Sequence, residues 1–264
     1  MFHPQRTLIT GGANGLGKEI ARSLQRAGSL VTILDRDGAS LKRTAEELGV
    51  SGIVYDLSNL QDLAREFSKW DTTYGPFDTL INNAAVSNFG TAWEFELKAL
   101  SELLNINLLA PILLSQAFIK CRSQDKVRSK ILMISSVSAF QGFPYASSYG
   151  ASKSALLNFS EALSEELNEE NLKHISVSVV CPSYLDSKLF SGARPLLGTR
   201  ILKIQALADE IVGHLQGQTF LLIRPRRLAG LICLKNLLPH RLQIFLSRLL
   251  GVQRGMKPMK PSKC

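Results

Sequence analysis

Several features that would place the chain in a class at once are scarce or missing. It has four cysteines in 264 residues, Cys121, Cys181, Cys233 and Cys264, far apart and without metal-ligand spacing. They read as reduced thiols in a cytosolic setting. The four histidines, His3, His174, His214 and His240, are equally scattered, so no metal site is expected. The opening "MFHPQRTLITGG" lacks the basic-then-apolar order of a secretory leader. No uncharged apolar run approaches the roughly 20 residues that span a bilayer. No internal repeat, low-complexity segment or linker interrupts the chain before position 224. Hydrophobic residues make up 45%, which argues against disorder. The length suits one large α/β domain with a proper core.

Acidic residues are missing from one whole region. From Ile211 to Cys264 there is no Asp or Glu, but there are ten Lys or Arg. Taking those ten from the total of 31 leaves 21 basic against 22 acidic residues in the body. The net charge of +9 therefore sits in the tail, and a basic tail suggests an anionic surface.

What is present is alternation. "RTLIT" (6–10), "LVTIL" (30–34), "GIVY" (52–55), "DTLIN" (78–82), "KILMIS" (130–135), "ISVSVV" (175–180) and "TFLLI" (219–223) read as strands. Helical stretches lie between them. "LGKEIARSLQRAG" is apolar at Leu16, Ile20 and Leu24 and stops at Gly28, and "LKRTAEELG" stops the same way at Gly49. Such alternation predicts a parallel sheet covered on both faces.

Between the first strand and first helix, "TLITGGANGLGKEIA" carries Gly11, Gly12, Gly15 and Gly17. Glycines there let backbone N–H groups approach a pyrophosphate, whose charge the helix N-terminus favours. The bland alternative is a tight strand–helix turn. Asp35, just past the second strand, is placed to accept hydrogen bonds from adenosine ribose hydroxyls and to repel a 2′-phosphate. It also fits a helix cap. Arg36 beside it suits a phosphate or an adenine ring. With Asn14, not a base, in the glycine loop, the balance favours NAD, with NADP as the alternative.

In "SSYGASKSAL" (147–156), Tyr149 and Lys153 stand at i and i+4, on one helix face. A free phenol titrates near 10, too high for a base at neutrality. The neighbouring ammonium is expected to lower that value.

Together these motifs resemble the short-chain dehydrogenase/reductase family over roughly residues 6–190. "TGGANGLG" is similar to its T-G-x-x-x-G-x-G loop, "NNAA" (82–85) to its N-N-A-G, and "YGASK" (149–153) to its Y-x-x-x-K. Ser136 and Asn107 fall where the family has two further catalytic residues. After the sixth strand, "CPSYLDS" has Ser183 for the family's glycine and Ser187 for its threonine. The resemblance implies a Rossmann-type, doubly wound, mainly parallel seven-stranded sheet. It implies a dinucleotide held by Gly11, Asn14, Gly15, Leu16, Gly17, Asp35, Arg36, Asp56, Leu57, Asn83, Ala84, Tyr149, Lys153, Pro182 and Ser187. It also implies Tyr149 as general acid/base, Lys153 on the nicotinamide ribose, Ser136 on the substrate oxygen, and Asn107 anchoring a relay water. A homodimer or homotetramer paired through residues 99–121 and 148–170 is implied too.

The segments expected to rim the site supply Phe89, Trp93, Phe140, Phe143, Tyr145, Tyr184, Leu185, Leu189 and Phe190. They suit an apolar secondary alcohol or ketone, such as a steroid, retinoid or long-chain lipid. Some of them equally suit core or subunit contacts. The expected division is a catalytic domain, 1–223, and a basic amphipathic extension, 224–264. In the extension, Leu242, Phe245, Leu246, Leu249 and Leu250 share a face, with Arg241 and Arg248 elsewhere, as on an interfacial membrane helix. A packing arm is the competing reading. Nucleic acid is not expected, since no aromatic platform interleaves the charge. The location expected is cytoplasmic, with the extension bringing the protein to a membrane surface. The rivals are an NADP-dependent carbonyl reductase and a catalytically silent, nucleotide-sensing or membrane-recruited protein.

Overall fold

The short apolar runs become strands because each is flanked by glycine, proline or polar turn residues and is too short for a helix. A computed structural model describes residues 2–187 and 201–249. The strands are β1 (Arg6–Thr10), β2 (Leu30–Asp35), β3 (Ser51–Val54), β4 (Thr79–Asn82), β5 (Ser129–Ile134), β6 (Ile175–Pro182) and β7 (Leu221–Arg224). They form one sheet in the order β3-β2-β1-β4-β5-β6-β7, with every pairing parallel. All four residues of β4 and all six of β5 are buried, as expected for strands covered on both faces.

The helices are α1 (Gly15–Arg26), α2 (Gly38–Leu48), α3 (Leu63–Tyr74), α4 (Leu97–Leu104), α5 (Ala110–Arg122), α6 (Ser147–Glu169), α7 (Ile204–Gln216), α8 (Arg226–Asn236) and α9 (His240–Leu249). Apolar stripes at helical spacing pack α1, α2, α3, α5, α6 and α7 on the sheet in two layers. On one face, Ile20, Leu24, Leu41 and Ile211 of α1, α2 and α7 close over Ile9 and Ile33. On the other, Phe67, Phe118 and Leu156 of α3, α5 and α6 close over Leu8, Leu80 and Ile131. Gly49, at φ +64, ends α2 in the left-handed conformation that the sequence pattern predicts.

One run does reach bilayer-spanning length and apolarity. Leu97–Arg122, 26 residues long, passes that test by length and composition, and half of its most apolar window is buried. In the fold it is α4 and α5 joined by a π-helical turn, Asn105–Leu109, packed on α3 and α6. A core helix accounts for its composition.

After β7 the chain turns into α8 and α9. Lys235 Nζ donates to the Phe140 carbonyl at 2.5 Å, and Gln141 Nε2 donates to Ser247 Oγ at 3.0 Å. The extension thus docks on the segment that follows Ser136. It also leaves Leu231, Leu234, Leu237, Leu242, Ile244, Phe245 and Leu249 exposed. Leu246 is half-buried. Leu250, Arg254, Lys257, Lys260, Lys263 and Cys264 lie outside the described residues, as do Leu189 and Phe190. Cys121, Cys181 and Cys233 are free thiols.

Candidate active site

Strand order reverses between β1 and β4, so the loops at their carboxyl ends diverge and leave a crevice. The glycine loop forms one wall. Gly11 has φ +65, and a Cβ there would lie 2.8 Å from Ala84 Cα. A Cβ on Gly17 would lie 2.2 Å from the Gly11 carbonyl oxygen. Asn83 locks the two loops together, donating from Nδ2 to the carbonyls of Thr10 at 2.9 Å and Gly11 at 3.1 Å. Thr10 Oγ1 in turn accepts the N–H groups of Asn83 and Ala84, both at 3.0 Å. Asp35 braces the loop from β2, its Oδ2 accepting the Ala13 N–H at 3.1 Å.

The resulting cleft has a volume of about 530 Å³. Gly11, Asn14, Gly15, Leu16, Asp35, Arg36, Asp56, Leu57, Asn83, Ala84, Ser136, Tyr149, Lys153, Pro182 and Ser187 all line it. Two sequence-predicted residues do not. Gly17 lies behind the loop, where its lack of a side chain permits the close approach to Gly11. Asn107 lies behind the β4 loop. Sequence reasoning missed Tyr55, Ile106, Ile134 and Ile204, which add apolar wall from four separate elements. Among the expected rim residues, Leu185 lines the cleft. Phe89, Phe143 and Tyr184 are buried, and Trp93 is 84% exposed.

At one end of the cleft stand the hydroxyl, phenol and ammonium. Ser136 caps the 3₁₀ turn Val137–Ala139, its Oγ accepting the Ser138 N–H at 3.1 Å. Ser136 and Tyr149 both line this part of the cleft. The Phe89 ring packs on Tyr149 at 6.1 Å between centroids. The first turns of α6 bring Tyr149 and Lys153 to one buried face. Lys153 Nζ lies 5.8 Å from the centre of the phenol ring and donates to the Ile134 carbonyl at 2.9 Å.

The electrostatics correct one expectation. Burial, not the ammonium, dominates Tyr149, and pushes its phenol above the ordinary value; the Ser136 hydroxyl opposes this only in part. Burial likewise pushes Lys153 down to about 8. Desolvation disfavours both charged forms. The phenol is therefore kept in its protonated form. Behind them Cys181 stays a thiol, raised to about 12 by burial.

Asn107 sits in the π turn between α4 and α5, a distortion common at functional sites. Its Nδ2 donates to Val86 O at 2.9 Å and to Ser152 Oγ at 3.2 Å. Ser152 Oγ donates to the Tyr149 carbonyl at 2.7 Å, which ties the β4 loop to α6.

The short chain dehydrogenase family model matches residues 5–195. The chain belongs to that family. Short-chain dehydrogenases are NAD(P)-dependent oxidoreductases acting on CH–OH groups. A ketoacyl reductase, HetN, from Nostoc sp. is 30% identical over 67% of this chain and 62% of its own length. A CLA biosynthesis dehydrogenase/reductase from Lactiplantibacillus plantarum is 30% identical over 72% of this chain and 68% of its own. The chain thus spans about three fifths to two thirds of these curated relatives. A metagenomic short-chain oxidoreductase solved in complex with NADP is 26% identical, with TM-score 0.71 over 83% of this chain and 96% of its own.

Two features of this family member fit a dinucleotide. Gly15, at φ +55, faces the cleft with nothing within 4 Å of an added Cβ, a cradle that a side chain would fill. Ser187 Oγ is buried at the opposite wall without a hydrogen-bond partner among the described residues. Ser183 replaces glycine without strain, since its φ is not positive and its N–H donates to the Arg224 carbonyl at 2.8 Å.

Proposed function

We propose that the protein is an oxidoreductase interconverting an apolar secondary alcohol and its ketone, with NAD(H) preferred. The cofactor-binding set is the one lining the cleft, with residues 224–264 as an extension to the catalytic domain. A bound nicotinamide dinucleotide supplies the hydride chemistry. The chain's own residues handle position and the proton. Ser136 donates to the substrate oxygen, where negative charge develops on reduction. Tyr149, kept protonated by burial, gives its proton to that same oxygen, and takes one back in the reverse direction. Lys153 orients the nicotinamide ribose, and Asn107 keeps the β4 loop in register with α6.

The observation that carries this reading is that Ser136, Tyr149 and Lys153, all buried, meet in the wall of the same cleft that the glycine loop and Asp35 line. Apolar surroundings from Leu185, Ile134 and Phe89 support an apolar substrate. Exposed Leu97 and Leu104 of α4 and Leu109 of the π turn support pairing of subunits through that edge. The exposed leucines of α8 and α9, in a segment without acidic residues, support peripheral contact with an anionic membrane.

The test is turnover of a panel of apolar secondary alcohols and ketones with NAD(H) and NADP(H), followed by absorbance of the reduced nicotinamide. Turnover that disappears in Tyr149→Phe is expected. No turnover with any member, or turnover indifferent to Tyr149→Phe, would overturn the reading.

A further inference from the structure

The end of the cleft formed by the loops after β2 and β3 holds an ion pair that the proposed reaction does not use. Arg36, the residue after β2, lines the cleft. Its Nη1 donates to Oε1 of Glu102 at 2.8 Å. Glu102 comes from α4, outside the cleft wall, so the pair joins the loop after β2 to a helix that follows β4. Both side chains are partly exposed, at 40% and 33%, so a ligand in the cleft can compete with Glu102 for the guanidinium.

We propose that Glu102 is a latch on a 2′-phosphate subsite: its carboxylate engages the guanidinium that the phosphate of NADP would need, and so biases the cleft toward NAD. This rests on the dinucleotide reading of the cleft. A carboxylate and a phosphate compete for the same fork of guanidinium donors. The neighbouring anion is fixed. Asp35 accepts the Ala13 N–H on Oδ2 and the Asp37 N–H on Oδ1, each at 3.1 Å. Asp35 therefore cannot swing aside for a phosphate, whereas Glu102 can be displaced. Selection is shared between a rigid carboxylate that repels the phosphate and a movable one that competes with it for Arg36.

The experiment is direct calorimetric binding of NAD and NADP to the wild type, Glu102→Gln, Arg36→Ala and the double variant. An exposed pair of this kind is modest in energy, so Glu102→Gln should tighten NADP about three- to fivefold and leave NAD unchanged. In the Arg36→Ala background the same substitution should give no gain. Tightening of both dinucleotides, or of neither, overturns the latch. A gain that persists without Arg36 also overturns it, since the carboxylate would then act by direct repulsion. A wild type that binds neither dinucleotide removes the reading of the cleft itself, and the latch with it.

Discussion

Asn107 holds both polar groups of the Val86 backbone: its Oδ1 accepts the Val86 N–H and its Nδ2 donates to the Val86 carbonyl, each at 2.9 Å. Val86 lines the cleft, so a fully buried side chain on a helix fixes the position of a wall it does not itself form. Asn107→Ala would leave two backbone groups without partners. The expected cost is about 1–3 kcal/mol of stability, seen in urea unfolding, together with weaker dinucleotide binding. Wild-type stability in this variant would show that the clamp is dispensable.

Tyr149 carries a different expectation, because its hydroxyl is buried and held protonated. Tyr149→Phe deletes a polar atom without opening a cavity, so stability should be unchanged or higher. Turnover should fall by about 10² to 10⁴, the range for loss of a positioned proton donor. Dinucleotide binding, measured separately, should survive. A parallel loss of binding and turnover would mean that the phenol is structural.

His214 gives a prediction in acid. Burial first, and then the charges of Lys130 and Arg224, push its pKa down to about 4 from an ordinary 6.5. The native state therefore keeps the imidazole neutral while the unfolded chain takes up a proton near 6.5. Between those values the unfolded state binds more protons, so stability is present above 6.5 and is lost as pH falls toward 4. His214→Gln should lose less stability than the wild type between pH 7 and 4, measured by urea melts at several pH values. Identical pH slopes would sink this assignment.

The glycines separate two roles that look alike in the sequence. Gly17→Ala would force a methyl into the Gly11 carbonyl, 2.2 Å away, and should unfold the loop or shift it. Gly15→Ala meets no atom within 4 Å, but has φ +55 and faces the cleft. It should cost about 1 kcal/mol in the free protein and weaken dinucleotide binding further. Calorimetric binding beside thermal melts distinguishes the two. Equal effects on both readouts for the two variants would contradict the placement.

This contrast marks what the sequence made legible. The strands were readable from short apolar cores bounded by polar residues, as in Leu80–Ile81 of β4 and Ile131–Ile134 of β5, and Gly49 from its fitness for the left-handed φ that ends α2. Tyr149 and Lys153 were readable because one helical turn brings i and i+4 together. Tyr55, Ile106 and Ile204 were not, because their common wall exists only after the sheet has brought distant loops to one edge. The direction of the Tyr149 shift was missed for a related reason. A neighbour's charge is visible in spacing, but the desolvation that outweighs it depends on Phe89 and the rest of the packed surroundings. The clamp on Val86 left no local signal either, since its two residues are 21 positions apart.

Lys235 and Ser247 dock the extension on the Phe140–Gln141 segment, as a packing arm would, while several of its leucines stay exposed. Leu231, Leu237 and Phe245 are 55%, 82% and 61% exposed, so replacing them with serine should not disturb the core. If these helices lie on an anionic bilayer, each substitution removes apolar area from the lipid contact, at about 25 cal/mol per Å² lost. The triple variant should therefore float with phosphatidylserine vesicles at least about tenfold less than the wild type, with its thermal melt unchanged. High salt should also release the wild type, because lysines and arginines supply part of the attraction. Vesicle binding that ignores both the serines and the salt would rule the helices out as the contact. A wild type that stays with the soluble fraction but changes from dimer to monomer in the triple variant would assign the same leucines to a subunit interface.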